Sequence, residues 1–573
     1  MKNIAIKEES DMKRYKKILV SLMLVVVLCG CGAENRGNGN AGTGSDTAGA
    51  ESGTEAQGSG TGATNQSAQA GTEMNSGDES NQEEEKMVNP ETYFDKMMYA
   101  TAYKNHMQTN PIMTQRFGAD PYAMVYGDRV YFYMTADAFE YDAAGEIIEN
   151  TYSKIRSINV VSTDDMVNFT DHGSIQVAGK DGAAKWANNS WAPAAAWKNI
   201  DGQDKFFLYF ANSGGGIGVL TADSPTGPFT DPLGEALISR NTPNCADVLW
   251  LFDPAVLVDD DGRAYIYFGG GVPEGKVADP GTARVAELGE DMISIKGEAK
   301  RIDVPYLFED SGIHKFGNKY YYTYCTNWQV DQAGTDKYGF VNAEIVSLVS
   351  DNPMGPFEFK EKILENPGKH FGLYGNNHHC VFSFQGNWYM TYHTRFLEKN
   401  MGIEKGYRAT HIDKFEMGED GTIGIIPQTR VGREQLKNVD AYAEIPAATM
   451  AMMAGLDTAP LNDKKDGQMV LTAIDKGDYL KVQGVDFGEK APVKWNAYIK
   501  KAADCSEDCA IRLNIKKFDG EVIGYLTMTE AGETDADGFT KYTATLTAEV
   551  TGVQDLYLVF SGSGYEVKSW SFE

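Results

Sequence analysis

Five similar segments recur in this chain, and four of them begin with a polar residue that can do chemistry. Each segment has a leading residue, a short apolar run, a Gly- or Asp-containing turn and an aromatic-rich strand; the leaders are Asp120, Trp191, Asp253, Glu309 and His378. Two carboxyl groups facing each other across a pocket can cleave a glycosidic bond when one is protonated and the other ionised. The residue types therefore predict acid–base chemistry, provided that folding brings the leaders together.

The residues around each carboxyl group favour a different role for it. Glu309 follows the apolar residues YLF, whose packing would disfavour the charged form, raise the pKa and suit a general acid. Asp120, in the sequence FGADPY, fits a base at a tightly held strand entry. Asp253, in LFDPAV, can orient and tune the acid. The alternative is that each Asp-Pro pair only marks a turn at a strand end.

The segment starts lie between 56 and 71 residues apart, which suits one four-stranded blade per repeat. Units of this kind cannot bury their faces alone, so they stack around an axis. We therefore predict a five-bladed β-propeller over residues 89–433, in which the innermost strands all begin at one end of the axis. That arrangement would bring the five leaders to one site.

The ends of the chain predict two further regions and a tether. Residues 13–17 are basic and residues 18–28 apolar, followed by the sequence LCGC; this order predicts a signal peptide over residues 1–31. Residues 32–88 are rich in Gly, Ser and Thr and predict a disordered linker. After residue 439 the repeat is lost, and short alternating strands predict a jelly-roll β-sandwich over residues 439–573. The predicted fold class is thus all-β.

The composition limits the partners. The formal net charge is −29, from 81 acidic and 52 basic residues, so phosphate backbones are repelled and nucleic acid is an unsuitable partner. A neutral sugar polymer meets no such repulsion. The sequence LCGC resembles a bacterial lipobox, which implies lipidation of Cys31, a membrane contact through that lipid alone, and an extracellular location on the bacterial cell surface.

The motifs FGADPY, NNSWAPAAAWK, WLFDPAVLVDDDG, YLFEDSGIHK and GNNHHCVF resemble those of glycoside hydrolase family 43. The resemblance is closest to the arabinoxylan arabinofuranohydrolase branch and implies a five-bladed propeller with an inverting mechanism. It assigns the base to Asp120, the pKa-modulating carboxylate to Asp253 and the acid to Glu309. The implied substrate is arabinoxylan or a related hemicellulose, from which α-L-arabinofuranosyl side chains are removed. The alternatives are a β-xylosidase, an arabinan-cleaving enzyme, or a non-catalytic glycan-binding lipoprotein.

Four further residues are candidates for substrate or metal contacts. Trp191 can stack on a sugar face or pack in the core, and the resemblance implies that the loop containing Asn377 touches substrate. Arg395 can donate to sugar hydroxyls; its alternative is a salt bridge to Asp120 or Asp253. The resemblance also implies calcium near His378 on the propeller axis, with His379 as the competing ligand; the ion is not required for the chemistry.

The C-terminal region resembles a family 6 carbohydrate-binding module through ATMAMMAG, DKGDYLKVQGVDFG, GEVIGYLTM and VTGVQDLYLVFSG. Where that family has calcium-binding carboxylates, this chain has Pro446, Ala448 and, near its end, Lys568. A lysine at a cation site would repel the cation, so the usual calcium site is not expected. Three aromatic residues could form a sugar-stacking platform, with core burial the alternative for the last: Tyr479, Tyr565 and Trp570. Whether Cys505 and Cys509 form a disulfide stays open.

Overall fold

The computed structural model describes residues 89–573, so the predicted signal peptide and linker lie outside the described residues. Within that range strands dominate and the helices are short: a 3-10 helix at Pro90–Phe94, α1 (Gln332–Tyr338), α2 (Gly368–Phe371) and α3 (Phe396–Met401). No helix among residues 89–573 is long and apolar enough to cross a membrane. The predicted all-β fold is confirmed, as a propeller followed by a sandwich.

Five antiparallel sheets of three or four strands make up the blades, and their strands follow one another along the chain. They are β1 (Ala119–Tyr126), β2 (Arg129–Thr135), β3 (Ser157–Thr163) and β4 (Phe169–Gln176) in blade 1; β5 (Trp191–Ile200), β6 (Gln203–Ala211) and β7 (Ile217–Ala222) in blade 2; β8 (Ala255–Val258), β9 (Ala264–Phe268), β10 (Arg284–Leu288) and β11 (Ile295–Arg301) in blade 3; β12 (Leu307–Phe316), β13 (Lys319–Thr326), β14 (Ile345–Ser350) and β15 (Glu358–Leu364) in blade 4; and β16 (His379–Phe384), β17 (Asn387–Thr394) and β18 (Ala409–Phe415) in blade 5.

Apolar clusters between neighbouring blades form the core of the propeller. Tyr267 of blade 3 stacks on Tyr322 of blade 4 with ring centroids 5.9 Å apart. Phe132 of blade 1 meets Phe382 of blade 5 edge-on at 5.5 Å. Blades 1 and 5 are thus packed like the sequential pairs, and the ring is closed. The aromatic residues of the repeat therefore serve mainly this inter-blade packing.

The chain segment before blade 1 helps to close the ring. The Ile112 N–H donates to the carbonyl of Thr410 in β18 at 3.0 Å. The Asn110 side chain donates to the carbonyl of Ile412 at 3.0 Å and accepts from the N–H of Ile412 at 2.9 Å. Blade 5, which has only three strands, is thereby covered by a segment from the other end of the domain.

Backbone N–H groups at the beginnings of four innermost strands are bound by residues of the preceding blade. The donor and acceptor pairs are Ala192 N to Thr135 Oγ1 at 2.8 Å, Asp310 N to Asp253 Oδ2 at 3.0 Å, His379 N to Asp310 Oδ1 at 3.3 Å and Asp120 N to His393 Nδ1 at 3.1 Å. These bonds lie at the axis end where the site forms. They fix the strand entries of successive blades relative to one another.

The C-terminal region is a sandwich of two main sheets around a large apolar core. Its strands are β19 (Val439–Asp440), β20 (Ile445–Pro446), β21 (Thr449–Met450), β22 (Met452–Ala454), β23 (Asp457–Pro460), β24 (Met469–Thr472), β25 (Tyr479–Asp486), β26 (Lys494–Lys501), β27 (Ala510–Ile515), β28 (Glu521–Thr527), β29 (Ala531–Thr534), β30 (Thr540–Thr545), β31 (Val553–Ser561) and β32 (Tyr565–Phe572). Cys505 and Cys509 are free thiols with their Sγ atoms 2.9 Å apart.

Candidate active site

The beginnings of the innermost strands meet at one end of the propeller axis. His378 Nδ1 lies 3.7 Å from Asp120 Oδ1 and 3.9 Å from Asp253 Oδ2. The N–H of Asp310, the residue after Glu309, donates to Asp253. All of these side chains are buried. The structure thus gathers the three predicted carboxyl groups and the predicted histidine in one cluster.

The segment starts are not equivalent positions, and the expectation that they are needs correction. The backbone takes a positive φ at Asp120 (47°), Ala192 (37°), Asp253 (48°) and Asp310 (69°), the residues that correspond in blades 1 to 4. Such a φ is unusual outside glycine and persists only where the surroundings hold it. The sequence repeat aligns Glu309 with Asp120. In the structure, however, it is Asp310 that corresponds to Asp120, and Glu309 stands one residue earlier.

Asp120 is held in its charged form. Burial alone would raise the pKa of this carboxyl, but the Arg408 guanidinium, whose Nη1 donates to Oδ1 at 2.8 Å, outweighs that effect. The pKa of Asp120 is therefore held well below its usual range. The Asp120 N–H donates to Nδ1 of His393, whose Nε2 donates to the carbonyl of Asn376 at 2.9 Å. An ionised, firmly held carboxylate suits a general base.

Arg408 is itself fixed by a second carboxylate. Its Nε and Nη2 donate to the two oxygens of Asp137 at 2.9 and 2.8 Å, and its backbone N–H donates to the same side chain at 3.1 Å. The Tyr152 ring lies 4.8 Å from the guanidinium carbon. Burial would lower the pKa of Arg408, but the charges of Asp120 and Asp137 raise it well above its usual value. The guanidinium therefore stays charged despite burial.

Glu309 has the opposite environment. Burial, together with the charges of Asp253 and Asp120, raises its pKa well above the usual value. Its Oε1 is buried, and no hydrogen-bond donor among the described residues reaches that atom. A buried polar atom without a partner is costly in a native structure. A protonated carboxyl with a free oxygen suits a general acid that awaits a substrate oxygen.

Asp253 lies between the two. Burial and the charge of Asp120 raise the pKa of Asp253 well above the usual value. The hydrogen bond that Asp253 accepts from the Asp310 N–H lowers that pKa, but by less. When Asp253 is ionised, its charge is among the causes that raise the pKa of Glu309, so Asp253 is placed to tune that residue. This geometry suits the predicted modulator.

His378 lies among three carboxyl groups. Burial lowers its pKa, and its Nε2 lies 3.1 Å from Asp310 Oδ1. Its Nδ1 faces oxygens of Asp120 and Asp253, a setting that suits a cation. Among the described residues, however, no group of three or more His, Cys, Asp or Glu side chains is placed around a metal ion. Calcium takes six to eight oxygen ligands, and most would have to be water. The calcium at His378 stays a prediction.

The three predicted substrate contacts have protein partners. Trp191 is half-buried, and its indole N–H donates to the carbonyl of Tyr152 at 2.9 Å. Asn377 is fully buried and donates to the carbonyl of Ala343 at 3.1 Å. Arg395 forms an ion pair with Glu398. Their roles toward substrate stay predictions.

The alternative role of Arg395, a salt bridge to Asp120 or Asp253, is not what the structure shows. Arg395 pairs with Glu398, and Arg408 forms the salt bridge with Asp120. The sequence reasoning also missed Asp137, Asp310 and His393. Asp310 follows Glu309 directly, so its acidic side chain at the start of a repeat was a usable signal. Arg408 and Asp137 lie outside the repeated segments, and nothing in their local sequence links them to the site.

Comparison with known proteins gives two family matches. Residues 108–423 match the family described as glycosyl hydrolases family 43, and residues 446–573 match carbohydrate binding module (family 6). An arabinoxylan arabinofuranohydrolase of Paenibacillus polymyxa is 46% identical over 481 residues, which span 81% of this chain and 74% of that protein. An arabinoxylan arabinofuranohydrolase of Bacillus subtilis (strain 168) is 42% identical over 493 residues, 82% of this chain and 94% of that protein.

A solved structure covers both regions at once. It is the crystal structure of a glycoside hydrolase family 43 arabinoxylan arabinofuranohydrolase from Bacillus subtilis in complex with cellotetraose. The sequence identity is 40%, the TM-score 0.77, and the match covers 83% of this chain and 99% of that one. The match therefore extends over both the propeller and the sandwich.

Proposed function

The chain belongs to glycosyl hydrolase family 43, an inverting family, and from that membership we propose that it removes α-L-arabinofuranosyl side chains from arabinoxylan. The observation that carries the chemistry is the contrast between two buried carboxyl groups. Arg408 holds Asp120 ionised, whereas burial and neighbouring carboxylates keep Glu309 protonated. Inverting hydrolysis of a glycosidic bond requires such a pair. The family match and the two similar arabinofuranohydrolases support the choice of substrate.

In the proposed reaction a water molecule displaces the xylan oxygen in a single step. Glu309 donates its proton to the glycosidic oxygen as the bond from that oxygen to the arabinofuranosyl C1 breaks. Asp120 takes a proton from the water whose oxygen forms the new bond at C1 from the opposite face. Asp253 keeps the pKa of Glu309 high. The reaction ends with Glu309 ionised and Asp120 protonated, and proton exchange with solvent restores both.

The decisive experiment combines Glu309→Gln with product analysis on arabinoxylan. We expect the variant to lose about 10²- to 10⁴-fold in kcat, the usual contribution of a general acid, with an unchanged circular dichroism spectrum. Glu358→Gln, an exposed change on β15 of the same blade, is the control and should keep full activity. Proton NMR should show β-L-arabinofuranose as the first anomer released by the wild type. Near-full activity of Glu309→Gln, xylose as the main product, or the α anomer first would contradict the proposal.

The proposed location is the outside of a bacterial cell, with a lipid on Cys31 as the only membrane contact. The order of basic, apolar and LCGC residues supports this proposal. An enzyme acting on a polymer too large to enter the cell needs such a location. The linker predicted over residues 32–88 would let the propeller reach away from the surface.

Calcium near the axis is a separate part of the proposal. His378 Nδ1 would be its protein anchor, beside Asp120 and Asp253, and a bound ion would supply positive charge at the cluster. No step of the reaction above uses it. Metal analysis of the purified enzyme and of His378→Ala tests it, and equal calcium content in both would contradict the assignment.

A further inference from the structure

The sandwich lacks an exposed platform for stacking sugars. Tyr479, Tyr565 and Trp570, the residues that the sequence offered for one, are all buried, with 4%, 3% and 1% of their surfaces exposed. The Tyr565 hydroxyl donates to the carbonyl of Ser561 at 3.0 Å, and Trp570 belongs to the apolar core. Among the described residues of the sandwich, Tyr442 is the exposed large aromatic. The platform expectation is therefore wrong.

A segment from the beginning of the described chain covers one outer face of the sandwich. Residues 93–102 pack on an apolar cluster that the β25, β27 and β31 strands present on the side away from the main core. Tyr99 meets Phe518 with ring centroids 4.6 Å apart, and its hydroxyl accepts from Arg512 at 2.8 Å. The Ala100 N–H donates to the carbonyl of Gly477 at 2.9 Å. The aromatic residues of this face are thus occupied by the protein's own chain.

The positions that the family resemblance assigns to calcium lie together but do not fit the ion. β20 pairs with β32, so that Pro446 stands opposite Ser569, and the Ala447 N–H donates to the carbonyl of Lys568 at 2.9 Å. The Lys568 ammonium lies 2.8 Å from Asp535 Oδ2 and 2.7 Å from Asp537 Oδ2. Pro446 offers no side-chain oxygen, and the lysine supplies a fixed positive charge. A calcium ion would have to displace that ammonium.

The sandwich is built into the first blade of the propeller. β21 pairs antiparallel with β4 and extends the blade 1 sheet to five strands. Arg116 forms an ion pair with buried Asp171 of β4 and donates to the Thr458 hydroxyl at 3.0 Å. Asn168 exchanges two hydrogen bonds with the backbone of Gln483, of 2.9 and 2.8 Å. Contacts of this kind hold the two domains in one orientation.

From these observations we propose that the C-terminal sandwich is a structural support of blade 1 and does not bind calcium at the position usual for its family. Its outer edge completes the blade sheet, and Lys568 with its two aspartates ties β32 to the β29–β30 turn where a cation would otherwise act. The proposal concerns the sandwich alone, so its failure would leave the proposed activity of the propeller untouched.

Hydrogen–deuterium exchange of the full-length protein tests the calcium half of the proposal. Calcium added after EDTA treatment should leave exchange in residues 439–573 unchanged. Calcium-induced protection within residues 439–573 would overturn the proposal. As a positive control, Lys568→Met should speed exchange in residues 531–540 and 565–573, because two aspartates lose their shared cation.

Calorimetry of the full chain tests the structural half. We expect the wild type to unfold in one cooperative transition, because blade 1 and the sandwich share a sheet. Arg116→Ala with Asn168→Ala should lower the transition temperature or split it in two, whereas Arg263→Ala, an exposed change in a blade 3 turn, should do neither. If the double variant fails to fold, Asn168→Ala alone gives the readout. Two independent transitions in the wild type, with that of the propeller unmoved by Asn168→Ala, would overturn the support role.

Discussion

The pKa values of two carboxyl groups in one cluster are shifted in opposite directions, because a buried cation bonds to only one of them. Arg408 bonds to Asp120 directly, whereas the first causes acting on Glu309 are burial and the charges of other carboxylates. A nearby opposite charge stabilises a carboxylate, and low-dielectric surroundings disfavour it. Asp137 matters here because it takes up the rest of the guanidinium. The difference between the two carboxyl groups is therefore set by a residue that is neither acid nor base.

The conservative change Arg408→Lys tests this electrostatic role. A lysine cannot bond to Asp137 and Asp120 in the forked geometry of a guanidinium, so the pKa of Asp120 should rise toward its usual value. Because the base must be ionised, activity on the acid side of the pH profile would then be lost at a higher pH. We expect the acid limb of kcat/KM to move upward by about 1 to 3 pH units.

The limb on the alkaline side, set by Glu309, should move less in that variant, because Arg408 is only a minor influence on Glu309. The control is Arg263→Ala, an exposed residue in the turn between β8 and β9, whose pH profile should match the wild type. An Arg408→Lys enzyme with an unchanged acid limb would contradict the role given to the guanidinium.

At the scale of strands, the site depends on backbone bulges at the blade entries. At Asp120 and Asp310, where φ is positive, the backbone N–H groups donate to residues of neighbouring blades. Blade 2 has the same feature without a carboxylate: the Ala192 N–H donates to Thr135 Oγ1. We call such a backbone hydrogen bond between blades a latch. Because it also occurs in a blade without a catalytic carboxylate, its role is structural in origin.

Thr135→Val measures what one such latch contributes. The change keeps the side-chain shape but leaves the buried Ala192 N–H without an acceptor, which costs about 1 to 3 kcal/mol. We expect the urea midpoint of unfolding to fall while the circular dichroism spectrum stays native. Thr230→Val, at an exposed position of blade 2, should stay within about 0.5 kcal/mol of the wild type. Equal stability of the two variants would show that the latch contributes nothing.

For the whole molecule, the repeat predicted the architecture because a propeller is built from local hairpins that short sequence patterns reveal. The same patterns located Asp120, Asp253 and Glu309. Arg408 could not be found in this way, since it lies 288 residues from the base it contacts. Its role depends on how blade 5 meets blade 1.

The positions of the β-bulges at the strand entries could not be predicted from the sequence either, because an inserted residue changes the backbone without changing the pattern of residue types. In the sandwich, alternation predicted the strands but not which aromatic residues face outward. Trp570 and Tyr479 lie in different sheets of the sandwich: Trp570 faces the main core between the sheets, whereas Tyr479 is buried beneath residues 93–102. Local sequence patterns cannot predict that Tyr479 is covered by a segment more than 370 residues earlier in the chain.

We predict that the whole protein is held at the outside of a bacterial membrane. Residues 13–31 have an order of basic residues, apolar residues and cysteine that resembles a bacterial lipobox signal, and a lipid on Cys31 would hold the enzyme at a membrane. We expect Cys31→Ser to abolish incorporation of labelled fatty acid and to shift arabinofuranosidase activity from the membrane fraction to the medium. Cys29→Ser, two residues earlier, is the matched control and should still be labelled. Release of the wild type into the medium, or unchanged labelling of Cys31→Ser, would contradict the anchor while leaving the chemistry of the propeller as proposed.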